Sequence, residues 1–167
     1  MASAENNAIV SDQLSKSAQS VQDVLSAKGL KVDVKELSES TRTAEEAAKT
    51  LGCEVAQIAK SLIFQTNSNR PILVIASGAN RVNEKTLAKL VKEKIKRATP
   101  EFCREATGFA IGGIPPVGHK QNIDTYIDED LLQHEKIWAA AGTPNAVFCL
   151  NSKNIQDLTG GKVISIK

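Results

Sequence analysis

The passage best suited to chemistry is Gly108-Phe-Ala-Ile-Gly-Gly-Ile-Pro-Pro-Val-Gly-His119, in which four glycines and two adjacent prolines interrupt an apolar run. Gly112 and Gly113 permit positive φ and close backbone approach, while Pro115 and Pro116 fix φ. A rigid loop of this kind can present main-chain N–H groups to a ligand oxygen that gains negative charge. A plain sheet corner or bulge accounts for the same residues equally well. Lys60 follows Ile58 and Ala59 at the head of an apolar segment, where a solvated surface lysine is commonplace. His119 can titrate near neutrality, and a structural loop histidine is an equal alternative. Ser77, His119 and Asp124 supply the residue types of a serine hydrolase, but Ala-Ser-Gly-Ala is not a G-x-S-x-G elbow.

Other chemistries find little support. Cys53, Cys103 and Cys149 are odd in number and widely spaced, without a C-x-x-C pair, which argues against a disulfide framework and a structural zinc site. Each reads as a small core residue in a reducing cytosol. The acidic stretch lacks the D-x-D-x-D-G calcium pattern, residues 108–113 lack the G-x-G-x-x-G spacing, and Gly160-Gly-Lys162 is no phosphate loop. No metal and no cofactor are expected.

The elements that must hold these residues can be read from periodicity and punctuation. A helix over 17–28 carries Val21, Val24 and Leu25 and stops at Gly29. Residues 31–37 alternate as a half-buried strand. Thr43 and Glu46 form a capping box for a helix running to Leu51, with Gly52 beyond it. A short helical turn over 55–59 leads into a hairpin of strands 60–65 and 71–77. Asn83 caps a helix in which Leu87, Leu90, Val91 and Ile95 face one way and Lys85, Lys89, Lys92 and Lys96 the other. Thr99-Pro100 opens a further helix that Gly108 ends. Strands are expected over 109–111, 125–127, 137–141 and 146–150, then a helix over 151–158 and a strand over 162–166. The strands do not alternate strictly with helices. The fold class is therefore α+β, a mixed and largely antiparallel curled sheet surrounded by helices. Residues 1–16 read as a flexible polar lead-in and 17–167 as one domain.

The 167 residues carry a net charge of only +2, with 41% hydrophobic and 24% charged residues, an ordinary globular balance. No apolar run approaches the length of a membrane span, and the N-terminus lacks a secretory pattern. The charge is unevenly spread. Residues 81–97 hold seven basic residues against Glu84 and Glu93, whereas 124–135 hold five acidic residues and no lysine or arginine. A solvated helix face is the usual reading of a lysine stripe, and a polyanion-facing side is the alternative.

Four segments in order, Ala59-Lys60-Ser-Leu-Ile-Phe64, Ser77-Gly-Ala-Asn-Arg-Val82, the glycine-proline loop and Trp138-Ala-Ala-Ala-Gly-Thr-Pro-Asn-Ala-Val-Phe148, resemble the YbaK/ProX family of aminoacyl-tRNA editing domains. The resemblance extends from about residue 20 to the C-terminus. These domains are freestanding relatives of the editing domain inserted in bacterial prolyl-tRNA synthetase. The resemblance implies a barrel-like mixed sheet and hydrolytic deacylation of mischarged tRNA, foremost tRNAPro carrying a small non-cognate amino acid. It implies that Lys60 holds the phosphate region of the terminal adenosine or the reacting ester. The loop Gly112, Gly113, Ile114, Pro115 and Pro116 is implied to position the aminoacyl group by its backbone. Ala141, Gly142 and Thr143 are implied to line the amino-acid pocket, with Ser77 and His119 as further substrate contacts.

An aminoacyl ester is already activated, and the neighbouring ribose 2′-hydroxyl can assist a held water. The protein then needs only to orient, exclude and stabilise. Some alanine-editing relatives place a histidine where this chain has Thr143, which leaves the amino acid open. Arg81, Lys85, Lys89, Lys92 and Lys96 are expected to contact tRNA phosphates. The implied partners are aminoacyl-tRNA and, beyond it, prolyl-tRNA synthetase or an elongation factor, in the cytoplasm, with no membrane or DNA partner. The alternative is a non-catalytic module of the same fold that binds tRNA or a synthetase.

Overall fold

The computed structural model describes residues 13–167; most of the expected lead-in lies outside them. Ser15 accepts a hydrogen bond from the Ala18 N–H and starts helix α1 (Lys16–Ala27), which buries Ala18, Val21 and Leu25. The strand expected over 31–37 shrinks to β1 (Lys35–Glu36). The Gln22 side chain donates to Val32 O and accepts from Val34 N, so a helix side chain replaces the partner strand there.

Helix α2 (Ala44–Leu51) begins with both halves of the Thr43–Glu46 capping box and ends at Gly52 in the left-handed region. A 3-10 turn (Val55–Gln57) leads into the hairpin of β2 (Ile58–Thr66) and β3 (Pro71–Ser77). Helix α3 (Glu84–Val91) is capped by Asn83 and stops at Lys92, whose φ is +62°. It does not reach Lys96, because the Asn67 N–H binds Lys94 O and β4 (Ile95–Arg97) joins β2. The basic stripe is therefore divided between a helix and a strand.

Thr99 caps α4 (Pro100–Thr107), which Gly108 ends. Residues 109–111 form turns rather than the expected strand. Thr107 Oγ1 accepts from Phe109 N, and the Gly113 N–H closes on Ala110 O. The chain continues through β5 (Asp124–Asp128), a 3-10 segment (Glu129–Gln133), β6 (Lys136–Ala140) and β7 (Ala146–Asn151). A further 3-10 turn, α5 (Ile155–Thr159) and β8 (Lys162–Ile164) complete it.

The sheet order is β1-β7-β6-β2-β3-β5-β8, with β4 also on β2. Pairings β1–β7, β6–β7, β2–β3 and β2–β4 are antiparallel, and β2–β6, β3–β5 and β5–β8 are parallel. The sheet is mixed and mainly antiparallel, as the sequence implies; its path stays open between β1 and β8. β3 is buried on both faces, as a central strand requires. Leu73 and Ile75 belong to one core cluster with α1 residues and with Phe109, Ile114 and Val117 of the glycine-proline loop, while Ile72, Val74 and Ala76 belong to a second with Leu87 and Val91 of α3. Ala44, Ala47 and Ala48 of α2 cover Ile58.

One irregularity positions the site. Beyond its β3 edge, β2 is paired by β6 only at Ile58 and Ala59 and by β4 only from Phe64 onward. Between them the sheet is split.

Candidate active site

A cleft of about 400 Å³ opens at this split, within the size range of small-ligand sites. Lys60, Ser61 and Leu62 of β2 form its middle. The start of α2 with Arg42 forms one side, Trp138, Ala139 and Ala140 of β6 another, and Ile111, Gly112 and Ile114 of the loop a third. Arg97 and Cys103 complete it on the β4 and α4 side.

The electrostatics of the cleft are one-sided. Arg42, Lys60 and Arg97 line it against Glu45 as the one acid, and the three ion pairs among the described residues involve none of these four. Arg97 also lies over the Phe64 ring, 5.7 Å from its centroid. Arg42 crosses Gly112 closely. A Cβ on Gly112 would stand 2.7 Å from Arg42 Cγ, and its φ of +95° independently favours glycine.

Of the residues expected to act, Lys60, Gly112 and Ile114 line this cleft. Gly113 stands behind it: its N–H binds Ala110 O, its carbonyl accepts from the Gly142 N–H at 2.8 Å, and a Cβ there would come within 2.7 Å of the Thr143 backbone. Its glycine serves the contact between two loops, and its N–H is not offered to a ligand. Pro115 and Pro116 are buried in the same layer. His119 Nε2 lies 2.7 Å from Pro115 O, and since a carbonyl only accepts, the ring donates. Burial pushes the imidazole below its ordinary value, partly opposed by that bond. It acts as a neutral staple of the loop, outside the cleft lining.

Ala141, Gly142 and Thr143 also lie outside the lining. The Ala141 N–H binds Ala146 O, and Thr143 Oγ1 donates to Glu36 Oε2 at 3.1 Å. The wall comes from the alanines just before them. Ser77 ends β3 away from the cleft, its hydroxyl donating to Ala56 O at 2.8 Å. Arg81, Lys85, Lys89, Lys92 and Lys96 are exposed and none reaches the cleft; Arg97, beside Lys96, does. The sequence reading missed Arg42, Ser61 and Ala139–Ala140 as lining residues. Arg97 carried a signal in the basic count of 81–97, and Ser61 one in its place beside Lys60. Arg42 carried none.

Among the described residues, no activated cysteine lines the cleft. Burial is the foremost cause that raises the Cys103 thiol, with Arg97 opposing it, and burial likewise raises Cys53 and Cys149. What the arrangement offers is a cationic mouth, a small apolar wall and strand and loop backbone.

Comparison with known proteins places the chain in a family. The sequence profile of the aminoacyl-tRNA editing domain matches residues 38–158. "Uncharacterized protein YwhH" of Bacillus subtilis is 31% identical over 131 residues, 78% of this chain and 83% of that protein. The "Putative Cys-tRNA(Pro)/Cys-tRNA(Cys) deacylase EbsC" of Enterococcus faecalis is 30% identical over 130 residues, 77% of this chain and 79% of its own length. A crystal structure described as "a putative trans-editing enzyme for prolyl tRNA synthetase" superposes with a TM-score of 0.88 at 47% identity, covering 93% of this chain and 99% of the other. With the profile spanning most of the chain and the fold shared over nearly its whole length, this protein belongs to the aminoacyl-tRNA editing domain family.

Proposed function

We propose that the cleft takes the 3′-terminal aminoacyl-adenosine of a mischarged tRNA and hydrolyses its ester bond. The observation that carries this reading is the pairing of three cations, Arg42, Lys60 and Arg97, with a small apolar wall at a split in the sheet. A polyanionic chain end bearing a small side chain is complementary to both.

In this mechanism Lys60 and the backbone around Gly112 stabilise charge developing on the ester oxygen. The ribose 2′-hydroxyl assists a held water. A protein nucleophile is unnecessary, which agrees with the raised Cys103 thiol and the engaged Ser77 hydroxyl. Trp138, Ala139 and Ala140 limit the side chain by size, each methylene changing discrimination by roughly 1–3 kcal/mol. The names of EbsC and of the superposed structure favour tRNAPro as the substrate and prolyl-tRNA synthetase as the system served, in the cytoplasm, with an elongation factor as a further candidate for handing over the substrate. In this reading the exposed Arg81, Lys85, Lys89, Lys92 and Lys96 take tRNA phosphates, so binding weakens with salt.

The test is deacylation of tRNAPro charged with alanine, cysteine, serine, threonine or proline. The expected result is release of one or two non-cognate residues and retention of proline, with the rate falling about a hundredfold in Lys60→Ala. No release from any member, with tRNA still bound, would replace this reading with that of a binding module.

A further inference from the structure

The middle of β2 holds polar groups that the fold leaves without partners. The Gly78 N–H binds Ile58 O, so in the β2–β3 register the even residues of β2 bond to β3 and the odd ones face the opposite edge. On that edge Ala59 is covered by β6, and Ile63 O accepts from the Ala98 N–H at 3.1 Å. Ser61 lies between. Extending the β4 register would set Pro100 against Ser61, but proline has no N–H and begins α4. Extending β6 would need the Gly142 N–H, which binds Gly113 O instead. The Ser61 hydroxyl is also buried without a hydrogen-bond partner, the one such side-chain atom among the described residues. Leaving such groups unpaired opposes folding, and all of them belong to a residue that lines the cleft.

We infer that Ser61 anchors the α-ammonium group of the aminoacyl substrate, its main-chain carbonyl and hydroxyl oxygens accepting the ammonium hydrogens. The inference rests on the editing reading and deepens it. An α-ammonium entering a cleft lined by Arg42, Lys60 and Arg97 is repelled by all three, with Glu45 the single acid in the lining. It therefore needs neutral acceptors set apart from the cations. Side chains alternate across a strand, so the Ser61 hydroxyl lies on the face opposite the Lys60 side chain. A consequence is a chemical filter: a tRNA whose amino group is acylated, as in peptidyl-tRNA, has lost the charge and two of the three N–H donors and is held less tightly.

Two adenosine analogues test this, both carrying a 3′-amide in place of the ester, one alanyl and the other propionyl, which lacks only the amine. Affinities for the full chain are measured by NMR titration. Wild type is expected to bind the alanyl amide about tenfold more tightly, and Ser61→Ala to narrow that ratio to about twofold. The variant should melt no lower than wild type, which separates loss of recognition from loss of folding. Equal affinities in wild type, a ratio unchanged in Ser61→Ala, or binding of neither analogue would overturn the assignment. Deacylation of tRNAPro charged with alanine, cysteine, serine, threonine or proline by the same preparation is read alongside. Release there with equal analogue affinities removes the Ser61 anchor alone, whereas no release removes the editing reading itself.

Discussion

Ser77 and Ser61 sit on neighbouring strands in opposite circumstances. At the end of β3 the Ser77 N–H binds Asp128 Oδ2 at 2.9 Å and its hydroxyl donates to Ala56 O. Asn80 Nδ2 bridges Asp128 and Asp130 at 2.8 Å to each, the Asp130 N–H binds Asp128 Oδ1, and Lys167 pairs with Asp130 at 3.0 Å. The side chains of Ser77, Asn80, Asp128 and Asp130 are all matched. In the middle of β2, Ser61 has a buried hydroxyl without a hydrogen-bond partner and a main-chain edge that neither neighbouring strand reaches. A closed network holds a turn in one geometry. An open set of donors and acceptors beside a cationic cleft is complete only with a ligand, and a fold tolerates that cost where binding returns it.

The largest blow to this contrast is Asp128→Ala. Asp128 is only 1% exposed, and its loss strands N–H donors of Ser77, Asn80 and Asp130, which should lower stability by about 3 kcal/mol in urea unfolding. A loss below about 1 kcal/mol would mean that the corner is not a closed network. The two serines then separate in sign. Ser77→Ala should destabilise by about 1 kcal/mol, whereas Ser61→Ala should be neutral or stabilising by up to about 1 kcal/mol, because it removes an unsatisfied hydroxyl. Equal destabilisation by both would erase the distinction.

The smallest effect concerns His119, the satisfied group behind the loop. Its folded value lies below the ordinary 6.5, so below 6.5 the unfolded chain takes up a proton that the folded one does not. Stability is full above that value and falls as pH drops from it toward the folded value. His119→Gln keeps a donor for Pro115 O and should flatten this slope, seen as unfolding midpoints compared at about pH 7.5 and about pH 5.5. An identical slope in the variant would assign the dependence to other groups.

The helix starts at Thr43, Asn83 and Thr99, the stops at Gly52 and Gly108, and the β2–β3 hairpin were legible, because each is decided within a few residues by capping bonds, left-handed glycine or an intervening turn. The misreadings are non-local. The strand expected over 31–37 yields to Gln22, ten and twelve residues from the main-chain groups it binds, and the helix expected to reach Lys96 yields to the ladder that β2 offers. Lys60, Gly112 and Ile114, singled out by motif, line the cleft. Gly113, Ala141, Gly142 and Thr143 belong to the same motifs, yet they form the layer behind the cleft.

The sequence by itself thus determined the mixed α+β class, the local boundaries and the motifs of an editing domain, since patterning and capping act over short distances. Only the tertiary structure decided which side of each motif meets the cleft, that Arg42 lies across Gly112, and that the sheet splits at Ser61. The split exists because two strands approach the same edge of β2 from different parts of the chain and neither reaches its middle, a meeting that no stretch of sequence encodes alone.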